Sequence, residues 1–172
     1  MKPNFEKISP IEMPENVFKM VGKDWMLITA GSSDSYNTMT ASWGMFGDLW
    51  SKSVCMCFIR PLRYTNEFME RGNSFSLSFF GENYHDALKF CGENSGRDVN
   101  KSKITGLTPF EIEDGITSFE QAKLIITCNK IYRQDLIREN YTVLNVENPI
   151  CESDPHIMYI GEIRNCYVRK KI

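Results

Sequence analysis

Long apolar runs are missing from this sequence, at its start and elsewhere. The opening stretch MKPNFEKISPIEMPENVF is interrupted by Pro3, Pro10, Pro14 and charged residues, so it lacks the apolar centre of a signal peptide. No segment has enough consecutive apolar residues to span a membrane. We therefore expect a cytoplasmic protein that does not associate with a membrane.

A basic excess is missing too. The 172 residues include 20 Lys and Arg against 22 Asp and Glu, which gives a net charge of −2 at pH 7. Proteins that mainly hold nucleic acid usually show a marked basic excess, because they neutralise phosphates. The charge therefore argues against a nucleic-acid partner, and the length predicts one domain over residues 1–172.

Metal-site and disulfide spacings are also absent. The only histidines, His85 and His156, are too few for a His-rich zinc site, and no CxxC pair occurs, so we predict no metal. In a reducing cytoplasm the cysteines are expected to be buried thiols. They are Cys55, Cys57, Cys91, Cys128, Cys151 and Cys166. Cys55 and Cys57 would share one strand face, where core packing is favoured over a redox pair.

The sequence has no Gly-rich strand-to-helix turn, which argues against a Rossmann or P-loop site. Its apolar patterns predict about six strands, two short helices and no regular alternation of strand and helix. An antiparallel barrel with inserted helices fits this order better than a doubly wound parallel sheet. The strands are expected at 24–30, 36–47, 53–60, 74–80, 119–134 and 156–171.

Three local signals refine this scheme. Prolines in residues 1–23 predict an extended N-terminal arm. The first helix, at 66–72, has Thr65 as its predicted N-cap, and the second helix is expected to stop at Gly92. Gly161 predicts a bulge in the last strand.

Residues 36–47, YNTMTASWGMFG, carry hydroxyl groups on one face if they form a strand. That face comprises Thr38, Thr40 and Ser42, and the opposite, apolar face comprises Met39, Ala41, Trp43 and Met45. The apolar face suits a core. The hydroxyl face would meet either water, its commonest neighbour, or a flat polar ligand. Trp43 and Gly44 favour the ligand, because a flat aromatic ring lies next to a residue that allows close backbone approach.

Three polar clusters are expected at the ends of strands or helices, where backbone N–H groups are unpaired and can bind an anion. They are NTMTAS (37–42), RPLRYT (60–65) and SGRDVNK (95–101). The clusters also supply cations, namely Arg60, Arg63, Arg97 and Lys101. A phosphate monoester is the simplest ligand for both features. Taken alone, each cluster is equally consistent with a solvated sheet face, a solvated turn or a capped loop.

Taken together, these motifs resemble the flavin reductase-like proteins with an FMN-binding split barrel, close to the flavoredoxin branch. The order is NTMTASWG, RPLRYT, SFSLSFF, SGRDVNKSKITGLTPF, FEQAKLIITCNKIYRQD and HIMYIGEI, from about Asp24 to the last strand. The resemblance implies a mainly β fold, a six-stranded antiparallel Greek-key split barrel with short inserted helices. It also implies a homodimer that holds non-covalent FMN near its interface.

By the same resemblance, residues 37–43 would lie along the isoalloxazine ring and ribityl chain, residues 60–65 would meet the phosphate, and residues 95–101 would close the pocket. The implied cofactor-binding residues are Asn37, Thr38, Met39, Thr40, Ala41, Ser42, Trp43, Arg60, Arg63, Tyr64, Thr65, Ser95, Gly96, Arg97, Asp98 and Lys101. Asn100 stands where an acidic residue is expected, which puts one charge partner in doubt but not the anion site.

The resemblance implies an NAD(P)H-dependent FMN reductase, in which NADH or NADPH passes hydride to flavin N5. We name no catalytic side chain, because the cofactor itself performs this chemistry. Two alternatives stay open. One is a flavoredoxin-type electron carrier that exchanges electrons with another redox protein, and the other is a module that binds flavin without turnover.

Overall fold

The computed structural model describes residues 4–142 and 155–170, and within them one large antiparallel sheet dominates. Its eight strands are β1 (Phe5–Ile8), β2 (Met26–Ser32), β3 (Ser35–Ala41), β4 (Gly44–Leu49), β5 (Lys52–Ile59), β6 (Ser74–Phe79), β9 (Leu124–Asp135) and β10 (Ile157–Arg169). A separate hairpin consists of β7 (Pro109–Glu113) and β8 (Ile116–Phe119).

The helices are short. They are α1 (Val17–Lys19), which continues as a π turn over Met20–Asp24, α2 (Tyr64–Arg71), α3 (His85–Glu93) and α4 (Lys101–Thr105). Single 3-10 turns occur at Pro10–Glu12, Glu82–Tyr84 and Arg138–Asn140. In the described ranges no helix is both long and apolar enough to cross a membrane.

The sheet closes into a split barrel. Its strand order is β3-β2-β6-β9-β10-β5-β4, with β1 added on β10, so β3 and β4 lie at opposite edges. Only Ser42 and Trp43 separate these two strands in sequence. The three Cα–Cα steps from Ala41 to Gly44 span at most about 11 Å, so the sheet must curl until β3 and β4 approach each other at this point.

The predicted mainly β barrel is confirmed. The sheet has two strands more than expected, because residues 36–47 form β3 and β4 and because Phe5–Ile8 joins the sheet.

The barrel interior holds the apolar side of the strands. Met39 and Ala41 are buried there with Phe75 and Leu77, as predicted for Met39 and Ala41, whereas Trp43 and Met45 of the same predicted face are exposed because they follow the end of β3. The five described cysteines are free and buried, which confirms that prediction for them, while Cys151 lies outside the described residues. Gly161 lies at a shift in register, as predicted, and a Cβ atom there would come 2.6 Å from Cζ of Phe75.

The outer face of β6 is covered by the hairpin β7–β8, which the sequence patterns missed. Ser76 donates a hydrogen bond to the Thr117 carbonyl at 2.6 Å, and the hydroxyls of Ser78 and Ser118 lie 2.9 Å apart. These polar side chains are therefore satisfied inside the protein.

The N-terminal segment is extended only in part. β1 pairs with the C-terminal half of β10, from Phe5 opposite Arg169 to Ile8 opposite Cys166. The turns that follow bury Met20 and Val21 against the barrel. The described part of the segment therefore includes a sheet strand and helical turns.

Two helix boundaries differ from the predictions. Arg63, not Thr65, is the N-cap of α2, and Gly72 follows its last residue as expected. The helix α3 runs through Gly92 to Glu93, one residue past the predicted stop, because Gly92 keeps helical hydrogen bonding and Asn94 is the C-cap.

Candidate functional site

The hydroxyl groups of β3 face the protein rather than a ligand, contrary to expectation. Thr38 Oγ1 lies 2.9 Å from Thr29 Oγ1 on β2 and donates to the Ile28 carbonyl at 3.2 Å. Thr40 Oγ1 donates to the Leu88 carbonyl of α3. These hydroxyls are already satisfied, so they are not what a ligand would contact.

The main chain of β3 offers polar groups instead, because β3 is an edge of the sheet. Lys101 Nζ donates to the Thr38 carbonyl at 2.7 Å, so this carbonyl points away from β2. In an antiparallel strand the N–H and C=O of one residue point the same way, and the direction alternates along the strand. The main-chain groups of Thr38 and Thr40 therefore face outward. Thr38 is 2% exposed and its carbonyl is bonded to Lys101, so the main chain of Thr40 is the polar part of this edge that a flat ligand can reach.

A cavity of about 210 Å³ lies beside the C-terminal part of this edge. One wall is formed by the rings of Trp43 and His156, whose centroids are 5.1 Å apart. The full lining is Met39, Thr40, Ala41, Ser42, Trp43, Phe58, Arg60, Arg63 and His156. We call this the ring cavity. It lies where the two edges of the barrel approach each other.

Two lining residues, Phe58 and His156, were not identified from the sequence as site residues. Ile59 of β5 pairs with Ile157 of β10, which brings His156 beside the end of β5 and its Arg60. This neighbour relation depends on the pairing of two strands about a hundred residues apart, and no local motif encodes it.

A second cavity, of about 390 Å³, adjoins the first and shares Met39, Arg60 and Arg63 with it. We call it the basic cavity. Its lining is Asn37, Met39, Arg60, Leu62, Arg63, Tyr64, Thr65, Glu93, Asn94, Ser95, Gly96, Arg97, Asp98 and Lys101. Because α2 begins with Tyr64, the unpaired N–H groups of its first turn lie at this cavity, which suits an anion.

A third cavity, of about 350 Å³, lies on the far side of Lys101, which also lines the basic cavity. Its lining is Tyr36, Asn37, Thr38, Gly96, Arg97, Asp98, Val99, Asn100, Lys101 and Ser102. Every residue that the family resemblance implied for the site lines at least one of the three cavities. The three sequence clusters therefore meet in space.

Cations at the basic cavity cover the C-terminal end of α3. Arg63 donates to the Gly92 carbonyl, and Lys101 donates to the Cys91 carbonyl at 2.8 Å. A helix C-terminus carries partial negative charge, which would repel a phosphate. These two cations neutralise that charge.

Arg97 is engaged mainly with the protein. Its guanidinium forms an ion pair with Glu67, donates to the Leu62 carbonyl at 3.3 Å and lies 4.7 Å from the ring centre of Tyr64. These contacts hold the loop 95–100 against α2. We therefore assign Arg97 a role in shaping the cavity.

The same loop presses on β3 at Gly96. A Cβ atom there would lie 1.9 Å from Asn37 Oδ1, so a larger residue would have to displace the Asn37 side chain. Asn37 in turn donates from Nδ2 to Thr65 Oγ1 at 2.7 Å. The contact of the loop 95–100 with β3 and α2 thus depends on Gly96, Asn37 and Thr65.

Asn100 stands where an acidic residue was expected, and its position at the start of α4 explains why an amide can replace a carboxylate there. It is the N-cap of α4, and its Oδ1 accepts a hydrogen bond from Lys103 N at 2.9 Å. Asn and Asp are about equally good N-caps.

Within residues 4–142 and 155–170, no three His, Cys, Asp or Glu side chains come together as metal ligands would.

Solved structures share this fold. An FMN-binding domain of a flavin reductases-like enzyme from Shewanella baltica OS155 superposes with a TM-score of 0.70, at 17% identity over 98% of this chain and 79% of that one. Flavoredoxin from Methanosarcina acetivorans gives 0.68, at 19% identity over 96% and 76%. The styrene monooxygenase flavin reductase from Pseudomonas putida S12 gives 0.61, at 14% identity over 86% and 80%.

No curated protein sequence matches the chain. The model of one protein family does, and it is described as the flavin reductase like domain. The match extends over residues 20–172, which include all the strands of the barrel except β1 and every residue of the three cavities. The chain therefore belongs to the flavin reductase-like domain family.

Proposed function

We propose that the protein binds FMN and acts as an NAD(P)H-dependent flavin reductase. The observation that supports this most is the junction of the ring cavity with the basic cavity along the exposed edge of β3. FMN combines a flat ring, a row of polar ring atoms and a terminal phosphate, and the two cavities match these parts in the same order. Non-covalent FMN fits better than FAD, because cations surround the second cavity as a terminal phosphate requires.

The side chains have separable roles in this proposal. Trp43 and His156 flank the ring, and the outward main-chain groups of Thr40, which lines the ring cavity, bind its polar atoms. Arg63 and the first turn of α2 bind the phosphate. When bound, FMN supplies the hydride chemistry at N5, with NADH or NADPH as the donor. The protein then has to hold the ring and leave one face open.

A second candidate function is a flavoredoxin-type electron carrier that keeps FMN bound and exchanges electrons with a redox-protein partner. An apolar rim at the ring cavity favours it, because Trp43 lines this cavity and is 44% exposed. Such a rim suits a transient protein partner. Both candidates use the same binding residues.

The proposal also includes a homodimer. A row of side chains crosses the outer face of β4, β5, β10 and β9, and it begins close to the ring cavity. Cross-strand pairs link Met45 to Met56, Met56 to Ile160 and Ile160 to Tyr132. An apolar row of this kind is a common core of subunit interfaces. Light scattering should therefore report about twice the chain mass of 19.9 kDa.

Reduction under nitrogen tests the function. The protein is loaded with FMN, mixed with NADH or with NADPH in a stopped-flow instrument, and followed at the flavin absorption band. A reductase bleaches the band at a rate that depends on nucleotide concentration. If neither nucleotide bleaches it while a reduced ferredoxin does, the electron-carrier candidate replaces the reductase. If nothing reduces the bound flavin, both candidates fail.

A further inference from the structure

Lys101 is a charged side chain in an interior position. Only 6% of its surface is exposed, although it is the first residue of α4. Its ammonium donates to two main-chain carbonyls, those of Thr38 and Cys91, at 2.7 and 2.8 Å. An ammonium has three N–H donors, so one donor is left for a ligand. Burying a charge in this way is costly unless something compensates for it, and the C-terminal end of α3, with about half a unit of negative charge, does so only in part.

In the part of the chain that the structure describes, no carboxylate compensates for the charge of Lys101, because its hydrogen bonds go to two main-chain carbonyls. The thiol of Cys91 does not provide it either, because burial raises the pKa of Cys91 to about 11 and keeps the thiol neutral. Arg63 adds a second positive charge nearby. The other titratable side chains around the two cavities or on the adjoining helices are Tyr36, Arg60, Tyr64, Glu67, Glu70, Arg71, His85, Asp86, Lys89, Glu93, Arg97, Asp98 and Lys103. Of these, Glu67 is already paired with Arg97.

We propose that Lys101 strengthens the preference of the site for a flavin that bears a phosphate, and that its contribution is lost when Lys101 loses its proton. The wall between the basic cavity and the third cavity contains Lys101, so its charge faces a phosphate in either one. Riboflavin has the same ring and ribityl chain without the phosphate, so it does not benefit from the charge. This inference rests on the proposed flavin binding and adds a pH-dependent determinant to it.

The sign of the pH effect follows from the surroundings of the ammonium. Burial lowers the pKa of Lys101 to about 8, and the neighbouring Arg63 lowers it too, whereas Cys91 acts in the opposite direction. An added phosphate dianion favours the charged form and raises this pKa again. FMN binding is therefore coupled to protonation of Lys101. The affinity for FMN should fall as the pH rises through about 8, and the affinity for riboflavin should not.

The experiment measures dissociation constants of FMN and riboflavin for the full chain by flavin fluorescence, from about pH 7 to about pH 9.5, where the phosphate stays a dianion. We expect the ratio of the two affinities to fall about tenfold across this range, the equivalent of one pKa unit. Lys101→Met should keep only the smaller preference for FMN that Arg63 and the first turn of α2 provide, and this preference should not change with pH. Lys103→Met is the matched control, since this exposed lysine of α4 lines none of the cavities, and it should keep the wild-type profile.

Lys101→Arg adds a second test, because a guanidinium keeps its charge over the whole range. This variant should prefer FMN at all pH values. A wild-type ratio that stays constant with pH would overturn the proposal without any variant, so a misfolded Lys101→Met leaves it testable. A pH-dependent ratio in Lys101→Met would overturn it as well. Failure of the proposed function looks different, because neither flavin would then bind the wild type at any pH.

Discussion

The barrel interior and the edge of β3 are built from the same strand but meet opposite demands. Met39 and Ala41 point into an interior of apolar side chains and neutral thiols. Thr38 presents its main chain at the edge, where Lys101 is held by carbonyl groups. Substitutions of interior residues should therefore change stability with little effect on flavin binding. Substitutions at the edge should change flavin binding with little effect on stability. Stability and flavin binding depend on different contacts of β3 because this strand lies at the edge where the barrel is split.

Phe75→Ala should have the largest effect, and it should be on stability. Phe75 is 1% exposed and packs in the barrel core, so the substitution leaves a cavity that lowers the free energy of unfolding by about 3 to 5 kcal/mol. Phe18→Ala is the matched control, because Phe18 is 89% exposed and should change little. Urea unfolding of the flavin-free protein measures both. Equal effects of the two substitutions would contradict the core described above.

Arg63→Ala should have the next largest effect, and it should be on binding. Loss of one charge-assisted hydrogen bond to the phosphate costs about 1.5 to 3 kcal/mol, or roughly ten- to a hundredfold in FMN affinity. Riboflavin should lose much less. Arg71→Ala, at the exposed end of the same helix, is the control. If both flavins weaken equally, Arg63 does not meet the phosphate.

Gly96→Ala tests whether the loop and the edge strand form one unit. The added Cβ would lie 1.9 Å from Asn37 Oδ1, and relief of this clash must either turn the Asn37 side chain away from its hydrogen bond with Thr65 or displace the loop. We expect a loss of about 1 to 3 kcal/mol in binding of both flavins. Gly47→Ala has no atom within 4 Å of its new Cβ and serves as the control in titrations of each variant. Unchanged affinity in Gly96→Ala would show that the loop does not shape the site.

Trp43→Ala should have the smallest effect. Removing one aromatic wall of the ring cavity costs about 0.5 to 1.5 kcal/mol, roughly two- to tenfold in flavin affinity, and should slow reduction of bound flavin by NADH or NADPH. Trp50→Ala, in the turn after β4 and 70% exposed, is the control for removing a surface tryptophan. A faster reduction in Trp43→Ala would mean that Trp43 does not position the ring.

Local patterns predicted most of the interior and part of the site. Alternation identified Met39 and Ala41 as buried residues of β3, and Gly161 predicted the bulge in β10. The hairpin β7–β8 was missed although Asp114-Gly115 is a strong hairpin signal and Gly115 adopts a φ of +71° in its turn.

The rest required tertiary information. Alternation separates two faces of a strand but does not reveal that β3 is an edge, so the hydroxyls of Thr38 and Thr40 were assigned to the ligand in place of the main chain. His156 reaches the ring cavity only through pairing of β5 with β10. The clusters at 60–65 and 95–101 are joined by Arg97 and Gly96, whose contacts come from folding.

The central claim is that a phosphate-bearing flavin lies along the edge of β3. Titration of the flavin-free protein with FMN and with riboflavin at about pH 7, below the pKa of about 8 of Lys101, tests it most directly. The account predicts saturable binding of one FMN per chain, with riboflavin at least about tenfold weaker for want of the charge-assisted bonds to phosphate. Equal affinity for the two flavins, or no saturable binding of FMN, would contradict it.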